Sequence, residues 1–477
     1  MKLKLYLLGS TLVAAVAGFL FGFDTVVISG TTDMLKSYFH FDAPATSPVI
    51  DVLARCFHLT SSSIMLGLTV ASAPIGTIVG SLLAGKPAER LGRKRVLIWL
   101  AVLYFVSALG CGLAWSWPAL LAFRFIGGLA IGGASVVAPL YIAEISPPNI
   151  RGRLVAINQL NIVAGLVVAY FSNYAIAAWM PNDPSVWRWM FGMVAVPSAI
   201  FLLLVQPIPE SPRWLVKRHR RDEALSVLRK LGNENAEGVM QEIVESLHEE
   251  TVSADEPFFQ RKYLLPIMLA FMVASFNQLS GINTILYYSK HIFIMAGAGQ
   301  TSALAQSVII GLTNLTFTLI GMSIIDHFGR RKLLITGAAG LTVCLSVTAW
   351  AFWMSDKITA GTLSHSYERA IGWTVLGSLI GFIAFFAFSS GAVIWVFISE
   401  IFPNRVRARG QALGSCTHWT WCALLTFAFP LIADYSKGAP FLFYAVMMLL
   451  QLVLVWKFLP ETKRVSLEEM QRHLGIE

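Results

Sequence analysis

The sequence predicts an all-α protein that crosses a membrane many times. Of its 477 residues, 56% are hydrophobic and only 13% are charged, and the mean hydropathy is +0.65. A soluble domain would normally have about 25% charged residues. Apolar runs of about 20 residues, the length that spans a bilayer as a helix, recur from one end of the chain to the other. The chain is therefore expected to be a polytopic helical membrane protein.

Twelve apolar runs are long enough to be spans. We place them at residues 7–30, 62–85, 95–115, 118–142, 154–178, 187–207, 263–290, 301–325, 332–354, 371–399, 410–433 and 439–459, with boundaries good to a few residues. The first run follows Lys2 and Lys4, but it is too long for a cleaved signal peptide and no clear cleavage site follows it. We therefore expect a retained first span, followed by a hydrophilic external loop at 31–61.

Lysine and arginine residues gather in alternate loops. The loops after even-numbered spans and the two tails hold most of them, including Arg93, Arg151, Arg330 and Arg407. The opposite loops hold only Lys36, Arg55, Arg188, Lys290, Lys357, Arg369 and Lys437. Basic residues concentrate in cytoplasmic loops, so both termini are expected to be cytoplasmic in a plasma membrane, the inner membrane of a bacterium. The net charge of +9 then reflects topology and does not indicate nucleic-acid binding.

The longest polar segment, residues 208–262, divides the chain into an N-terminal half (1–207) and a C-terminal half (263–459), with a cytoplasmic tail at 460–477. Within this segment, "RDEALSVLRKLG" predicts a short amphipathic helix that stops at Gly232, and "AEGVMQEIVESLHEE" predicts a second one. We expect both helices to pack beneath the membrane domain.

The two halves repeat each other. "ERLGRKR" (89–95) follows the second span and "DHFGRRK" (326–332) follows the eighth. Likewise "EISPPNIRGR" (144–153) follows the fourth span and "EIFPNRVRAR" (400–409) follows the tenth. Matching loops in the same order indicate a parallel duplication about an axis along the membrane normal. This organisation is typical of transporters that bind their substrate near the midplane, between the two halves.

Several motifs resemble those of the sugar porter family of the major facilitator superfamily. They are "GRK" and "GRR" after the second and eighth spans, "PESPRWL" (209–215), "NQLSGIN" (277–283) and "PETKR" (460–464). The resemblance covers essentially the whole chain and is nearest to bacterial proton-coupled symporters of the xylose, galactose and glucose type. It implies a monosaccharide substrate, a proton as the coupled ion, and alternating access by rocking of the two halves. No cofactor is implied.

Asp24, in "FGFDTVVISG" (21–30), is a carboxylate within an apolar span, and Arg124 lies inside the fourth span. Charges at such depth normally pair with one another and often mark ion pathways. The resemblance implies that proton-coupled members have an Asp and an Arg at these positions, whereas facilitative members typically have Asn in place of the Asp. We therefore expect proton coupling at Asp24 and Arg124. A purely structural ion pair in a uniporter is the alternative.

A set of amide and aromatic residues is implied, by the same resemblance, to contact the sugar. Amides can donate and accept hydrogen bonds without a charge, and aromatic faces stack on sugar C–H groups. The implied contacts are Gln159, Gln278, Asn283, Tyr287, Asn314, Trp395 and Trp419. The spacing of Gln278, Asn283 and Tyr287 predicts roughly one helix face. Gly281 between them could allow the helix to break near the ligand.

The chain also departs from the family pattern. Asn277 stands where the family usually has Gln, and His418 stands where an Asn or Gln is usual. Leu166 occupies a position that is an amide in some pentose carriers, and the tenth span lacks the usual Gly-Pro-rich run. These departures leave the identity of the sugar open.

A cytoplasmic gate of charged residues is the third expectation. The resemblance implies that family members pair such residues between the halves in the outward-open state. Solvated residues that only anchor the topology are the alternative. The expected gate residues are Glu89, Arg93, Glu144, Arg151, Arg153, Glu210, Arg213, Asp326, Arg330, Glu400, Arg407 and Arg409.

No residue pattern indicates an enzyme. No metal-ligand spacing and no nucleophile–base pair stands out, and the five cysteines form no C-x-x-C motif. The expected partners are a monosaccharide, a proton and the lipid bilayer, and we expect a monomer. A sugar sensor that binds without transporting is a further alternative, although sensors usually have long cytoplasmic tails.

Overall fold

The structure is a computed structural model that describes residues 5–42, 60–181, 183–233, 235–253, 257–359, 364–403 and 405–463, with scattered residues at 50–54 and after 464. Within this part of the chain every regular element is helical. The helices of the N-terminal half are Leu5–Tyr38, Ser61–Leu83, Gly85–Leu91, Arg93–Gly112, Trp117–Ile145, Arg151–Trp179, Val186–Met193 and Ala195–Leu204. The central segment forms Pro212–Lys217, Arg221–Leu231 and Ala236–Ser253.

The C-terminal half begins with a short 3-10 helix, Arg261–Tyr263, and a second one, His365–Tyr367, precedes its fourth span. Its α-helices are Leu264–Leu279, Ile282–Tyr287, Ser289–Met295, Gln300–Phe328, Arg330–Thr359, Glu368–Phe388, Ser390–Ile401, Arg407–Ala433 and Ala439–Phe458.

The prediction of twelve spans is confirmed: the described residues form 12 helical segments long and apolar enough to cross a membrane. The first span is longer than predicted, however. Its helix continues to Tyr38, so residues 31–38 are helical and not part of a loop. Thr31, Thr32 and Leu35 are buried in this extension. Packing against the rest of the protein therefore sustains the helix after the sequence has become polar.

Three spans are interrupted near their centres. The sixth is interrupted at Val194, the seventh at Gly281 and the tenth at Ser389. Gly281 has φ +83°, and a Cβ there would overlap the ring of Tyr444 on the twelfth span. The expected break at Gly281 is thus present. Because it separates Gln278 from Asn283 and Tyr287, the prediction that these three residues share one face of a single helix is wrong.

Small residues allow the spans within the N-terminal half to approach closely. The second span packs on the fourth, and the first packs on the fifth. A Cβ at Gly76 or Gly128 would overlap the backbone of the facing span, as is common where helices associate in membranes. Between the halves, the second span packs on the eleventh, the fifth on the eighth, and the first on the seventh. The predicted residues Asp24, Gln159, Gln278, Asn314 and Trp419 lie on spans that make these contacts.

The central segment forms a small helical layer at the end of the bundle where Arg93 and Arg330 lie, called here the arginine-rich end. The two predicted helices are present, and the first ends at Gly232, which has φ +94°. The helix Pro212–Lys217 was not predicted. Its N-cap Ser211 accepts the Trp214 backbone N–H, and the Trp214 indole donates to the Glu89 carbonyl at 2.8 Å. The layer is thereby attached to the loop after the second span.

Candidate functional site

The structure brings Asp24 and Arg124 together. Arg124 Nη1 lies 3.1 Å from Asp24 Oδ2 and 3.2 Å from Oδ1. The two residues are 5% and 1% exposed, and they join the first and fourth spans of the same half. A buried ion pair must offset the loss of water around both charges, so it is weak support for stability by itself. Protonation of Asp24 would remove one charge and release the guanidinium.

The surroundings of this pair are mostly apolar. The Arg124 guanidinium lies 5.5 Å from the centre of the Phe191 ring. Within the described residues, Arg124 Nε and the Tyr104 hydroxyl have no hydrogen-bond partner. A Cβ at Gly127 would lie 2.5 Å from Ser107 Oγ and 3.6 Å from Asp24 Oδ2. The absence of a side chain there lets the fourth span lie directly against Ser107 of the third span, next to the carboxylate.

A second polar cluster lies in the C-terminal half, around Gln278. The Gln278 amide nitrogen lies 3.1 Å from His418 Nε2 and donates to Asn277 Oδ1 at 3.1 Å. Asn283 Nδ2 donates to Gln278 Oε1, also at 3.1 Å. Although the seventh span is broken between Gln278 and Asn283, the break itself brings their amides into contact.

Aromatic rings cover this amide cluster. The His418 ring centre lies 5.4 Å from that of Trp395 and 5.0 Å from that of Trp419. Asn283 Nδ2 lies 3.3 Å from Cys422 Sγ, and the same sulfur lies 4.0 Å from the Tyr287 hydroxyl. Neutral hydrogen-bonding groups beside aromatic faces suit a ligand with many hydroxyl groups.

The cluster contains five of the predicted sugar contacts: Gln278, Asn283, Tyr287, Trp395 and Trp419. The described contacts do not join the other two to it. Gln159 is half-buried on the fifth span, and Asn314 is buried and accepts a 3.5 Å hydrogen bond from Thr318. His418, Cys422 and Asn277 were not predicted as site residues. Asn277 and His418 depart from the family pattern, and this departure is the sequence signal that could have identified them as site residues.

One contact connects the acidic pair to this cluster across the two halves. Phe21 lies on the first span, three residues before Asp24, and its ring centre is 5.6 Å from that of Trp419. A movement of the first span at Asp24 would therefore act on the amide and aromatic cluster through these two rings.

At the arginine-rich end, the repeated loops form matching ion pairs. Arg93 binds Glu144 through two hydrogen bonds of 2.9 and 2.8 Å. Arg330 binds Glu400 through two of 3.2 and 2.9 Å. Such forked pairs are among the stronger charge-assisted contacts. Each joins side chains of one half, whereas the resemblance implied pairing between halves in the outward-open state.

A second carboxylate completes each of these clusters. Glu210 Oε1 accepts the backbone N–H groups of Arg93 and Lys94 at 2.9 and 3.1 Å. Glu461 accepts those of Arg330 and Arg331 at 2.9 and 3.2 Å. Burial is the largest influence on the Glu210 carboxyl and raises its pKa, against the opposing effect of these N–H groups. Glu461 was not predicted, although "PESPR" and "PETKR" both contain the Pro-Glu-Ser/Thr signal.

The structure does not gather the remaining predicted gate residues into one cluster. Glu89, Arg151, Arg153 and Arg409 are exposed, and Arg407 is half-buried. Arg213 donates to Ser246 Oγ at 3.2 Å, within the linker layer. The side chain of Asp326 lies outside the described part of the chain.

Contacts between the two halves occur at the end opposite the arginine-rich end. Thr60 donates to Asp434 Oδ2 at 2.8 Å, and Ser63 bonds the same oxygen. The Tyr170 hydroxyl donates to the Leu286 carbonyl at 2.8 Å. Asp33 of the first span contacts both Lys290 and His291, which follow the seventh span. None of these residues was predicted to be functional, and together they join the two halves at this end.

Comparisons with known proteins agree with this architecture. A family model described as "Sugar (and other) transporter" matches residues 10–474. The chain is 36% identical to the D-xylose-proton symporter of Escherichia coli, covering 98% of this chain and 95% of that protein. It is 33% identical to the arabinose-proton symporter of Bacillus subtilis, covering 96% and 93% respectively. The inward-open structure of the E. coli xylose transporter matches with a TM-score of 0.81 and 34% identity, over 98% of this chain and 100% of that one. The chain belongs to the sugar transporter family.

Proposed function

We propose that this protein imports a monosaccharide together with a proton, by alternating access of a site between its two halves. The observation that carries the proposal is the buried Asp24–Arg124 pair. The helix that bears Asp24 also brings Phe21 against Trp419 of the other half. The pair is the group that can change its protonation state, and the cluster around Gln278 is the group suited to a sugar. Relatives named as proton symporters of xylose and arabinose support the assignment.

The sugar binds, in this proposal, against the amides of Gln278 and Asn283, with Trp395 and Trp419 covering its apolar face. The Tyr287 hydroxyl completes this side of the site. Gln159 and Asn314 contribute from the fifth and eighth spans once the ligand occupies the space between the halves. No enzymatic reaction is involved, and the protein acts as a monomer.

The proton binds at Asp24. When the carboxylate is ionised it holds Arg124, and when it is protonated the guanidinium is free to take other partners. Protonation leaves the Arg124 guanidinium without its counter-ion, which is costly in an apolar interior. It therefore favours a rearrangement of the first and fourth spans that gives the guanidinium new partners. Sugar transport is coupled to proton transport if the protein switches readily between its outward-facing and inward-facing conformations only when proton and sugar are both bound or both absent.

The arginine-rich end faces the cytoplasm in this proposal, because basic residues concentrate on that side of bacterial inner membranes. Both termini are then cytoplasmic. The chain divides into halves at 1–207 and 263–459, with the linker at 208–262 and a tail at 460–477. The clusters of Arg93, Glu144 and Glu210 and of Arg330, Glu400 and Glu461 serve as the two parts of the cytoplasmic gate. The contacts at the opposite end then close the external side, so that the described conformation faces inward.

The experiment that tests the function is uptake of radiolabelled sugars into proteoliposomes. A panel of pentoses and hexoses is offered with and without an imposed pH gradient, acidic outside. We expect at least one monosaccharide to accumulate only when the gradient is present. Asp24→Asn, which mimics the protonated carboxyl, should abolish accumulation yet retain sugar binding by calorimetry. The exposed Asp222, on a linker helix, supplies the control variant Asp222→Asn, which should accumulate sugar like the wild type.

The alternatives predict different results. A uniporter would equilibrate the sugar regardless of the gradient, and Asp24→Asn would then damage folding by leaving Arg124 without its counter-ion. A sensor would bind sugar and show no uptake. Accumulation by Asp24→Asn equal to that of the wild type would contradict symport through this carboxylate.

A further inference from the structure

A buried lysine lies between the two halves at the end opposite the arginine-rich end. Lys290 is 0% exposed, although an ammonium in an apolar interior is costly unless it is paired. It belongs to the short helix Ser289–Met295 that continues the seventh span. Its nearest carboxylate is Asp33, on the extension of the first span. The charge pair therefore links the N-terminal half to the C-terminal half.

Asp33 is shared between two basic side chains of that short helix. Its Oδ2 lies 3.7 Å from Lys290 Nζ, and its Oδ1 lies 2.9 Å from His291 Nδ1. Lys36 follows Asp33 by three residues, about one turn of the same helix. The His291 ring stands edge-on to Tyr288, with 6.4 Å between ring centres. The cluster thus consists of one carboxylate surrounded by basic groups.

The bonding of this cluster is incomplete. Lys290 Nζ donates to the Gly30 carbonyl at 3.3 Å, and within the described residues Asp33 Oδ2 has no hydrogen-bond partner. By contrast, the Arg93–Glu144 pair has two hydrogen bonds of 2.9 Å or less. A buried pair at 3.7 Å recovers less of the desolvation penalty than a forked, hydrogen-bonded one. Water entering at Asp33 and Lys290 would therefore compete well with the contact.

The cluster is also close to the candidate sugar site along the chain. Tyr287, the last residue of the helix Ile282–Tyr287, belongs to that site, and Lys290 follows it by three residues on the next helix, Ser289–Met295. Between them, the Tyr288 hydroxyl donates to the Thr426 carbonyl of the eleventh span at 2.9 Å. A displacement of Tyr287 by a ligand would accordingly be transmitted to the short helix that holds Lys290 and His291.

We propose that Asp33, Lys290 and His291 form an ionic latch that holds the external entrance closed and opens when water hydrates Lys290. This inference rests on the proposed function only for the statement that this end is external. The latch residues position the two halves and do not contact the sugar. Loss of the Asp33 charge leaves Lys290 buried without a counter-ion in the closed state. The closed state therefore becomes less stable relative to the open one.

The latch can be tested by the accessibility of a reporter cysteine. Ser63 is buried at the same end, where it bonds Asp434 of the other half. Ser63→Cys is introduced into a chain whose native cysteines have been replaced, and a membrane-impermeant maleimide is added from each side separately. We expect Asp33→Asn and Lys290→Met to raise the labelling rate from the external side about tenfold or more. Arg369 is an exposed cation on the first turn of the tenth span, and Arg369→Met should leave the rate unchanged.

Two further variants separate a latch from a merely structural role. Asp33→Glu keeps the charge and should label like the parent, and the reversed pair Asp33→Lys with Lys290→Asp should return labelling toward the parent rate. If Lys290→Met does not fold, comparison of Asp33→Asn with Asp33→Glu still shows whether the charge of Asp33 or its packing keeps this end closed. Unchanged labelling in folded Asp33→Asn would overturn the proposal. Because labelling needs no transport, it reports on the latch even if proton-coupled uptake is not found.

Discussion

The ring of Phe21 lies 5.6 Å from that of Trp419, and this contact joins the span that bears Asp24 to the amide and aromatic cluster of the other half. A ring pair of this kind contributes about 0.5–1.5 kcal/mol beyond the area it buries. It is a direct packing contact between the span of the proposed proton site and the proposed sugar site.

Phe21→Ala should therefore weaken both sugar binding and coupling. We expect the dissociation constant for sugar to rise about 2- to 10-fold, the equivalent of the energy of the ring pair. The ratio of accumulated to external sugar should fall, because the first span, which bears Asp24, no longer packs against Trp419 of the sugar site. Calorimetry and gradient-driven uptake measure the two effects. Phe271→Ala, at a half-exposed ring on the seventh span, is the control, and identical behaviour of the two variants would contradict the prediction.

Gln278→Ala should weaken sugar binding without unfolding the protein. Its amide is the centre of the cluster, with contacts to His418, Asn277 and Asn283. Loss of a buried neutral hydrogen bond costs about 1–3 kcal/mol, or roughly 5- to 150-fold in affinity. Trp395→Ala should act in the same direction. Gln206→Ala, at an exposed amide, controls for the substitution, and unchanged sugar affinity in Gln278→Ala and Trp395→Ala would exclude this cluster as the site.

Arg93→Ala and Arg330→Ala should slow transport while sugar binding stays within about twofold of the wild type. Each substitution leaves one carboxylate, Glu144 or Glu400, without its forked partner at the proposed gate. The Arg93–Glu144 pair is buried, whereas the Glu400 side chain is 27% exposed. Breaking a buried pair costs about 3–5 kcal/mol, so we expect the initial rate of uptake to fall about tenfold or more in Arg93→Ala and by less in Arg330→Ala. Uptake and calorimetry on the same preparations check the separation. Arg221→Ala, on an exposed linker position, should transport normally, and normal transport by Arg93→Ala would mean that this arginine only anchors the topology.

Gly92→Ala should destabilise the arginine-rich end. Gly92 has φ +99°, and a Cβ there would overlap the carboxylate of Glu210. The backbone conformation alone costs a non-glycine residue about 1–3 kcal/mol. The melting temperature in detergent should fall, whereas Gly85→Ala, which meets nothing within 4 Å, should melt like the wild type. Equal melting temperatures for the two variants would show that the Glu210 contact does not constrain this turn.

Much of the fold could be predicted because its determinants lie along the chain. Hydropathy locates the spans, and the repeated loops around Arg93 and Arg330 identify the duplication. The glycine at 281 also indicated the break in the seventh span. The breaks at Val194 and Ser389 have weaker signals. Pro197 follows the first by three residues and Gly391 follows the second by two, but prolines also occur inside uninterrupted spans, as Pro74 and Pro139 do.

The sites divide in a similar way. Asp24 and Arg124 could be identified because a charge within an apolar run is conspicuous. Since the two charges have opposite signs, each is the natural partner of the other although they lie 100 residues apart in the chain. Asp33, Lys290 and His291 were not identified, since charged residues near span ends look like ordinary loop residues. Their meaning depends on the first and seventh spans meeting, which the sequence of either one does not specify.

The two glutamate–arginine clusters at the arginine-rich end have a consequence for the history of the protein. Arg93 finds Glu144 and Glu210 within residues 1–210, and Arg330 finds Glu400 and Glu461 within residues 330–461. A single ancestral unit of half the present length would have satisfied these charges without a second copy. Gene duplication and fusion could then join two such units, because every charge of either cluster already has its partner within its own unit. Selection afterwards had only to adjust the surfaces where the copies meet.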